Sequence, residues 1–223
     1  MSNPAECLVP FPVELQLQKG GSLKVKTAWN IIAADGLANE ATQARRVLTE
    51  RIGNIVNSRQ RGTQITLALD NSLSDDEAYT LAINAKGVTA KGKTARGVFY
   101  ALMTLDQLLR GNGSTECADA IPALFISDKP RTHVRELMVD PARTFIPFED
   151  LKAFVPEMAR YKLNAMHLHL VDDQAWRIEI KKYPQLTTQA SSRWGQDDIQ
   201  MPYKGYYTQE QMRELVKLGA EYH

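Results

Sequence analysis

Five polar side chains close two apolar runs in this sequence, and their spacing suits chemistry at one place. His167 and His169 alternate with apolar residues in NAMHLHLV (164–171), and Asp172 and Asp173 follow at once. Successive side chains of a strand point to opposite faces, so the two histidines share a face with Ala165 and Val171. An H-x-H pair on a strand can hold a metal ion, with Asp172 or Asp173 as a further ligand. The competing reading is packing, with the histidines hydrogen-bonded inside a core. His133 and the last residue, His223, are the only other histidines, so the supply of ligands is thin.

Arg143 follows a second apolar run, VRELMV (134–139), in the stretch PART (141–144). One helical segment and one strand separate it from Asp172, a distance of 29 residues (143 to 172). Residues just past the carboxyl ends of parallel strands form the functional face of β/α folds. If the two strands are neighbours, Arg143 and Asp172 face one pocket. A guanidinium fork beside a carboxylate suits neighbouring hydroxyls on a sugar. A purely structural Arg–Asp pair, and two solvated loop carboxylates, fit the same spacing.

The elements that must position these groups begin with FEDLKAFVPEMARYK (148–162), helical, starting after Pro147 with acidic residues in its first turn. Pro156 inside it is expected to bend it or remove a hydrogen bond. TQEQMRELVKLGAEYH (208–223) is a second amphipathic helix, with Thr208 as its N-cap. Strand, helix, strand, helix implies parallel β/α units.

Upstream the rhythm differs. VELQLQ (13–18) alternates, GG at 20–21 marks a turn before LKV, and WNIIAA (29–34) is a further strand. Helical spacing runs from about Asn39 to Val56. TQITLALD (63–70) is a strand, and YTLAIN and GVTAKG form a hairpin around Ala85-Lys86. TARGVFYALMTLDQLLR (94–110) is a helix stopped by GNGS, and PALFISD is strand-like. Residues 1–130 thus read as an α+β sheet domain with two helices, and the boundary falls near Arg131.

Bulk properties exclude several classes. The 223 residues are 43% apolar and carry 27 Lys plus Arg against 26 Asp plus Glu, a net charge of +1. That balance gives no support for nucleic-acid or membrane-surface binding. No stretch approaches the ~20 apolar residues of a membrane span. Two cysteines, Cys7 and Cys117, exclude a disulfide scaffold and a four-cysteine zinc cluster. The start, MSNPAECLVPFPVELQLQ, has no charged segment leading into an apolar one, so the expectation is a protein kept inside the cell or one whose leader lies outside this sequence.

Taken together, residues 136–187 (ELMVDPARTFIPFEDLKAFVPEMARYKLNAMHLHLVDDQAWRIEIKKYPQLT) and 205–223 (GYYTQEQMRELVKLGAEYH) resemble glycoside hydrolase family 20, the β-N-acetylhexosaminidases. GVFYALMTLDQLL (97–109) resembles the small α+β domain that precedes the catalytic barrel there. The resemblance implies an α+β domain followed by a (β/α)8 TIM barrel. It implies retaining removal of terminal β-linked N-acetylglucosamine or N-acetylgalactosamine, in which the substrate's own acetamide attacks the anomeric carbon. It implies no cofactor and no metal, a glycan as partner, and a periplasmic or secreted location. Arg143 corresponds to the arginine of the family's D-x-x-R element and would grip the sugar's O3 and O4 hydroxyls. Asp172 is the first aspartate of the D-D-Q element and would help set the protonation of the general acid, with His169 and Asp173 behind it. Thr144 departs from the pattern, since the family commonly has histidine there.

A TIM barrel takes about 250 residues, and 93 remain from Arg131 (131 to 223). Roughly two β/α units are therefore expected. The acetamide-orienting Asp and the general-acid Glu are absent from this chain, because its one Asp-Glu dipeptide, Asp76-Glu77, is assigned to the surface of the upstream domain. The expectation is a polypeptide without turnover of its own, prone to self-association through uncovered edges and faces. Two other readings stand beside it: a metal-dependent hydrolase barrel on His167 and His169, and a non-catalytic carbohydrate-binding module working through the upstream domain. Trp176, Ile178 and Ile180 are expected to pack rather than act.

Overall fold

A computed structural model of the chain describes residues 4–53, 62–110, 117–191 and 204–223. It divides into two compact units, Met1–His133 with Arg160–Lys162, and Val134–Ala159 with Leu163–His223.

The first unit is a six-stranded sheet with two helices. Its strands are β1 (Glu14–Lys24), β2 (Trp29–Ala33), β3 (Thr63–Leu69), β4 (Tyr79–Asn84), β5 (Gly87–Gly92) and β6 (Ala120–Asp128), in the order β1-β6-β4-β5-β3-β2. The β2–β3 and β3–β5 pairs are parallel and the rest antiparallel. Helix α1 (Ala38–Ile52) lies against β2 and α2 (Ala95–Arg110), and α2 lies against β3, β4 and β5. Alternating strands such as β4, buried at Tyr79, Leu81 and Ile83, give the helices an apolar face to cover. Helix α2 is buried at twelve of its 16 residues, which explains its nearly unbroken apolar reading.

Two expectations for this unit are corrected. The Gly20-Gly21 pair does not end a strand. It makes an irregularity inside β1, where the pairing with β6 shifts between Leu17 and Ser22, and the two glycines take φ of 147° and 86°. Five steps along β1, from Leu17 to Ser22, face two along β6, from Leu124 to Pro122, so three extra residues bulge from the pair and the glycines carry its positive φ values. Glu77 is also not a surface residue. It is 7% exposed and its carboxylate takes a hydrogen bond from Arg96 at 3.3 Å, while Asp76 stays in solvent. The expected end of α1 near Val56 and the GNGS stop after α2 lie outside the described residues.

Within the same unit one carboxylate gathers three guanidinium groups. Asp106, on α2, is 2.6 Å from Arg51, 2.9 Å from Arg160 and 3.4 Å from Arg110, with its side chain 3% exposed. Burial opposes its ionisation, but the three arginines outweigh burial and hold the carboxyl below its usual range.

The second unit holds β7 (Glu136–Val139), α3 (Phe148–Arg160) up to Ala159, β8 (Ala165–Leu168), the single turn α4 (Gln185–Thr188) and α5 (Gln209–Glu221). β7 and β8 are parallel, with Val139 opposite Leu168. Helix α3 runs on through Pro156. Thr208 caps α5 with a full capping box, its hydroxyl taking the Gln211 N–H and the Gln211 side chain taking the Thr208 N–H. Val139, Phe148, Leu151, Tyr207 and Leu215 form the core that joins strands and helices. Lys152 on α3 reaches Glu214 on α5 at 2.7 Å. An apolar cleft of about 270 Å³ lies along α3, β8 and α5, lined by Val155, Met158, Met166, Leu215 and Tyr222 among others.

Candidate active site

The site residues sit where the backbone ladder of β7 and β8 runs past the strand ends. His169 N–H donates to Val139 C=O at 2.9 Å, and Ala142 N–H donates to His169 C=O at 3.0 Å. These two bonds hold the loops after β7 and β8 side by side. The first loop is a tight turn whose sequence dictates its shape. Asp140 supplies a side-chain acceptor at its start, and Pro141 fixes φ at the next position. Asp140 Oδ1 accepts the Arg143 N–H at 3.1 Å.

The guanidinium of Arg143 therefore lies between two carboxylates. Its Nη1 donates to Asp140 Oδ2 at 2.6 Å, and its Nη2 is 2.9 Å from Asp172 Oδ2. The Arg143 side chain stays 52% exposed, so its remaining N–H donors face water or a ligand. Asp172 Oδ1 accepts the Asp173 N–H at 2.7 Å, which fixes the carboxylate plane. His169 Nε2 lies 2.8 Å from Asp172 Oδ2, near enough for an ion pair but off the line of a hydrogen bond.

The electrostatics follow from these contacts. The Asp173 N–H, then the Arg143 guanidinium, hold the Asp172 carboxyl below its usual range. Partial burial raises Asp140, but the N–H and guanidinium of Arg143 outweigh it and leave that carboxyl lowered too. The two carboxylates in turn raise Arg143 above its ordinary value. The result is a fixed cation with accessible donors and two anions already satisfied by it. That set can bind vicinal hydroxyls, which accept from the guanidinium and donate to carboxylate oxygen.

His167 does not join them. It is exposed, and its Nδ1 is 4.0 Å from Glu136 Oε1. The helices cover one face of the β7–β8 pair, and His167 stands on the other beside its register partner Met138, itself 51% exposed. His167 thus lies on the face that the helices leave open. Among the described residues no group of three or more His, Cys, Asp or Glu side chains converges on a possible metal position. Cys7 and Cys117 are not joined in a disulfide. The Trp176 indole Nε1–H donates to Ile178 C=O at 2.7 Å.

Two participants were missed in the sequence. Asp140 carries a local signal, an aspartate three residues before Arg143 in a Pro-containing turn. Arg177 carries none that composition or spacing reveals. It is 1% exposed and its guanidinium faces backbone carbonyls.

Comparison with known proteins supplies the family. Residues 133–223 match the family model "Glycosyl hydrolase family 20, catalytic domain", and residues 6–129 match "Glycosyl hydrolase family 20, domain 2". The chain belongs to glycosyl hydrolase family 20. A β-hexosaminidase of Porphyromonas gingivalis is 40% identical over 165 residues, covering 72% of this chain and 21% of the relative. A β-hexosaminidase of Vibrio furnissii is 33% identical over 216 residues, covering 93% and 33%. Among solved structures, a family 20 β-N-acetylglucosaminidase matches with a TM-score of 0.79 at 35% identity, over 97% of this chain and 41% of that one. The β-N-acetylhexosaminidase of Streptomyces coelicolor matches with a TM-score of 0.83 at 27% identity, over 99% and 45%. The chain thus spans a fifth to less than half of these relatives. It comprises an α+β N-terminal domain and part of a catalytic domain, in a family of glycosidases.

Proposed function

We propose that these residues are the N-terminal portion of an exo-acting, retaining β-N-acetylhexosaminidase. The substrate is a glycan ending in β-linked N-acetylglucosamine or N-acetylgalactosamine, cleaved with the help of its own acetamide. Residues 1–130 are the accessory α+β domain, and residues 131–223 are the first two β/α units of a TIM barrel. Arg143 grips the O3 and O4 hydroxyls. Asp172 supports the protonation of the general acid, with His169 and Asp173 behind it.

The observation that carries this reading is the Arg143–Asp172 contact of 2.9 Å past the ends of two adjacent parallel strands, in a chain of family 20. An ion pair this exposed contributes little to stability, and its half-exposed arginine keeps donors for a ligand. The general acid and its partner aspartate are not among these 223 residues, so no turnover is expected of this polypeptide alone.

The test is hydrolysis of a chromogenic β-N-acetylglucosaminide by two proteins, the 223-residue polypeptide and a full-length family 20 enzyme carrying it. Turnover is expected only in the second. Hydrolysis by the 223 residues alone overturns the division of the machinery. Absence of hydrolysis by a folded full-length enzyme, on both hexosaminides, overturns the glycosidase reading.

A further inference from the structure

The turn that carries Arg143 is held from below by a second arginine. Arg177 Nε donates to Pro141 C=O at 2.9 Å and its Nη2 to Ala142 C=O at 3.4 Å. Its Nη1 donates to the carbonyls of Ser191 and Gly205, the latter at 3.0 Å. The Phe145 ring lies 5.5 Å from the guanidinium carbon, and Phe145 in turn stacks on Tyr207 at 5.2 Å. The main chain of Arg177 is fixed as well, its N–H to Leu170 C=O at 2.8 Å and its C=O to Tyr207 N–H at 2.7 Å.

The two carbonyls matter because of where they lie. They belong to the two peptide groups that lead into Arg143. The N–H groups of the same two peptides are already taken, Ala142 N–H by His169 C=O and Arg143 N–H by Asp140 Oδ1. Every polar atom of both peptide planes is therefore engaged, and Arg177 supplies the carbonyl half. A buried guanidinium is a costly way to fill space, since burial disfavours its charge and an apolar side chain of equal volume packs at least as well. Its planar fork does what no apolar side chain can, reaching two successive carbonyls along one turn.

We propose that Arg177 is a positioning residue that sets the place of Arg143 through the Pro141 and Ala142 carbonyls, and so tunes the grip on the sugar hydroxyls. The inference rests on the reading of Arg143 given above. Arg177 touches no substrate in this scheme. It acts through the backbone, where a displacement of about 1 Å is enough to cost a large factor in rate.

The experiment is a kinetic double-mutant cycle in the full-length enzyme with Arg177→Lys and Arg143→Ala, alone and combined, with urea unfolding of each protein. Lysine keeps the buried charge but is a point donor without the fork. Arg177→Lys is expected to raise KM about tenfold with a smaller change in kcat, the loss of one well-placed charged hydrogen bond. In the Arg143→Ala background the same substitution is expected to change KM less than about twofold, because the grip it positions is gone. A role confined to stability predicts the opposite, an equal loss in both backgrounds that tracks the fall in unfolding midpoint, and that result overturns the proposal. Wild-type kinetics in Arg177→Lys beside an impaired Arg143→Ala overturns the role of Arg177 alone. Unchanged kinetics in Arg143→Ala overturns both this role and the reading of Arg143. If Arg177→Lys does not fold, Arg177→Gln, which keeps a planar donor and drops the charge, takes its place with the same expectations.

Discussion

Two clusters of arginine and aspartate in this chain invert each other. In the first unit one buried carboxylate, Asp106, is surrounded by Arg51, Arg110 and Arg160. In the second, one half-exposed guanidinium, Arg143, lies between Asp140 and Asp172. The distances overlap, so distance does not separate a structural cluster from a binding one. Solvent access does. The Asp106 side chain is 3% exposed and has nothing left to offer a ligand, whereas Arg143 at 52% keeps donors in hand. Buried, an ion pair contributes to holding elements together; exposed, it contributes little to stability, and its charge is available for recognition.

The largest expected effect breaks the first cluster. Asp106→Asn removes the counter-charge that Arg51, Arg110 and Arg160 share and is expected to destabilise the first unit by about 3–5 kcal/mol. Urea unfolding of the variant reads this directly, and a loss too small to measure means that the cluster is not structural. The next effect falls on the second cluster. Arg143→Ala is expected to lower kcat/KM of the full-length enzyme by roughly 10- to 100-fold, the worth of a hydrogen bond to a charged group. Its unfolding midpoint should stay near wild type, and a large fall in stability would erase the contrast between the clusters.

The smallest effect is a pH dependence. The Asp106 carboxyl is held below its usual range in the folded chain, while its unfolded value is about 3.9. A depressed folded value means that the contribution is complete above about pH 4 and is lost as the pH falls through the folded value. Thermal unfolding should therefore show an acid limb below about pH 4. Asp106→Asn should flatten that limb, and a limb of unchanged steepness would assign the acid sensitivity to other carboxylates.

What the sequence disclosed and what it hid divide along the same physical line. Periodicity placed β3, β4, β5, α2, α3 and α5, because burial of one face repeats locally. The neighbourhood of Arg143 and Asp172 was legible because a strand–helix–strand unit returns the chain beside itself, so 29 residues of sequence become one hydrogen-bonded neighbour. Asp106 was hidden, since its partners Arg51 and Arg160 lie 55 and 54 residues away and no local pattern joins them. Glu77 was hidden by its polar surroundings in SDDEA, where only the fold turns it towards Arg96. Arg177 was hidden by its setting in AWRIEI, a strand-like alternation in which a charged residue reads as solvent-facing. For His167, alternation set which residues share its face but not which face the helices cover.

Gly205 gives the arginine cluster of the second unit an evolutionary consequence. A Cβ placed there would stand 2.3 Å from Cε1 of Phe145, the ring that lies against Arg177 and Tyr207. The ring is partly buried against those two neighbours. A side chain at 205 therefore displaces it unless the one at 145 is smaller, and a smaller one at 145 leaves a hole until 205 is filled. Drift at either position passes through a worse intermediate, so the pair should change together or not at all. Two residues 60 positions apart (145 to 205) are tied into a single heritable unit by the width of one aromatic ring.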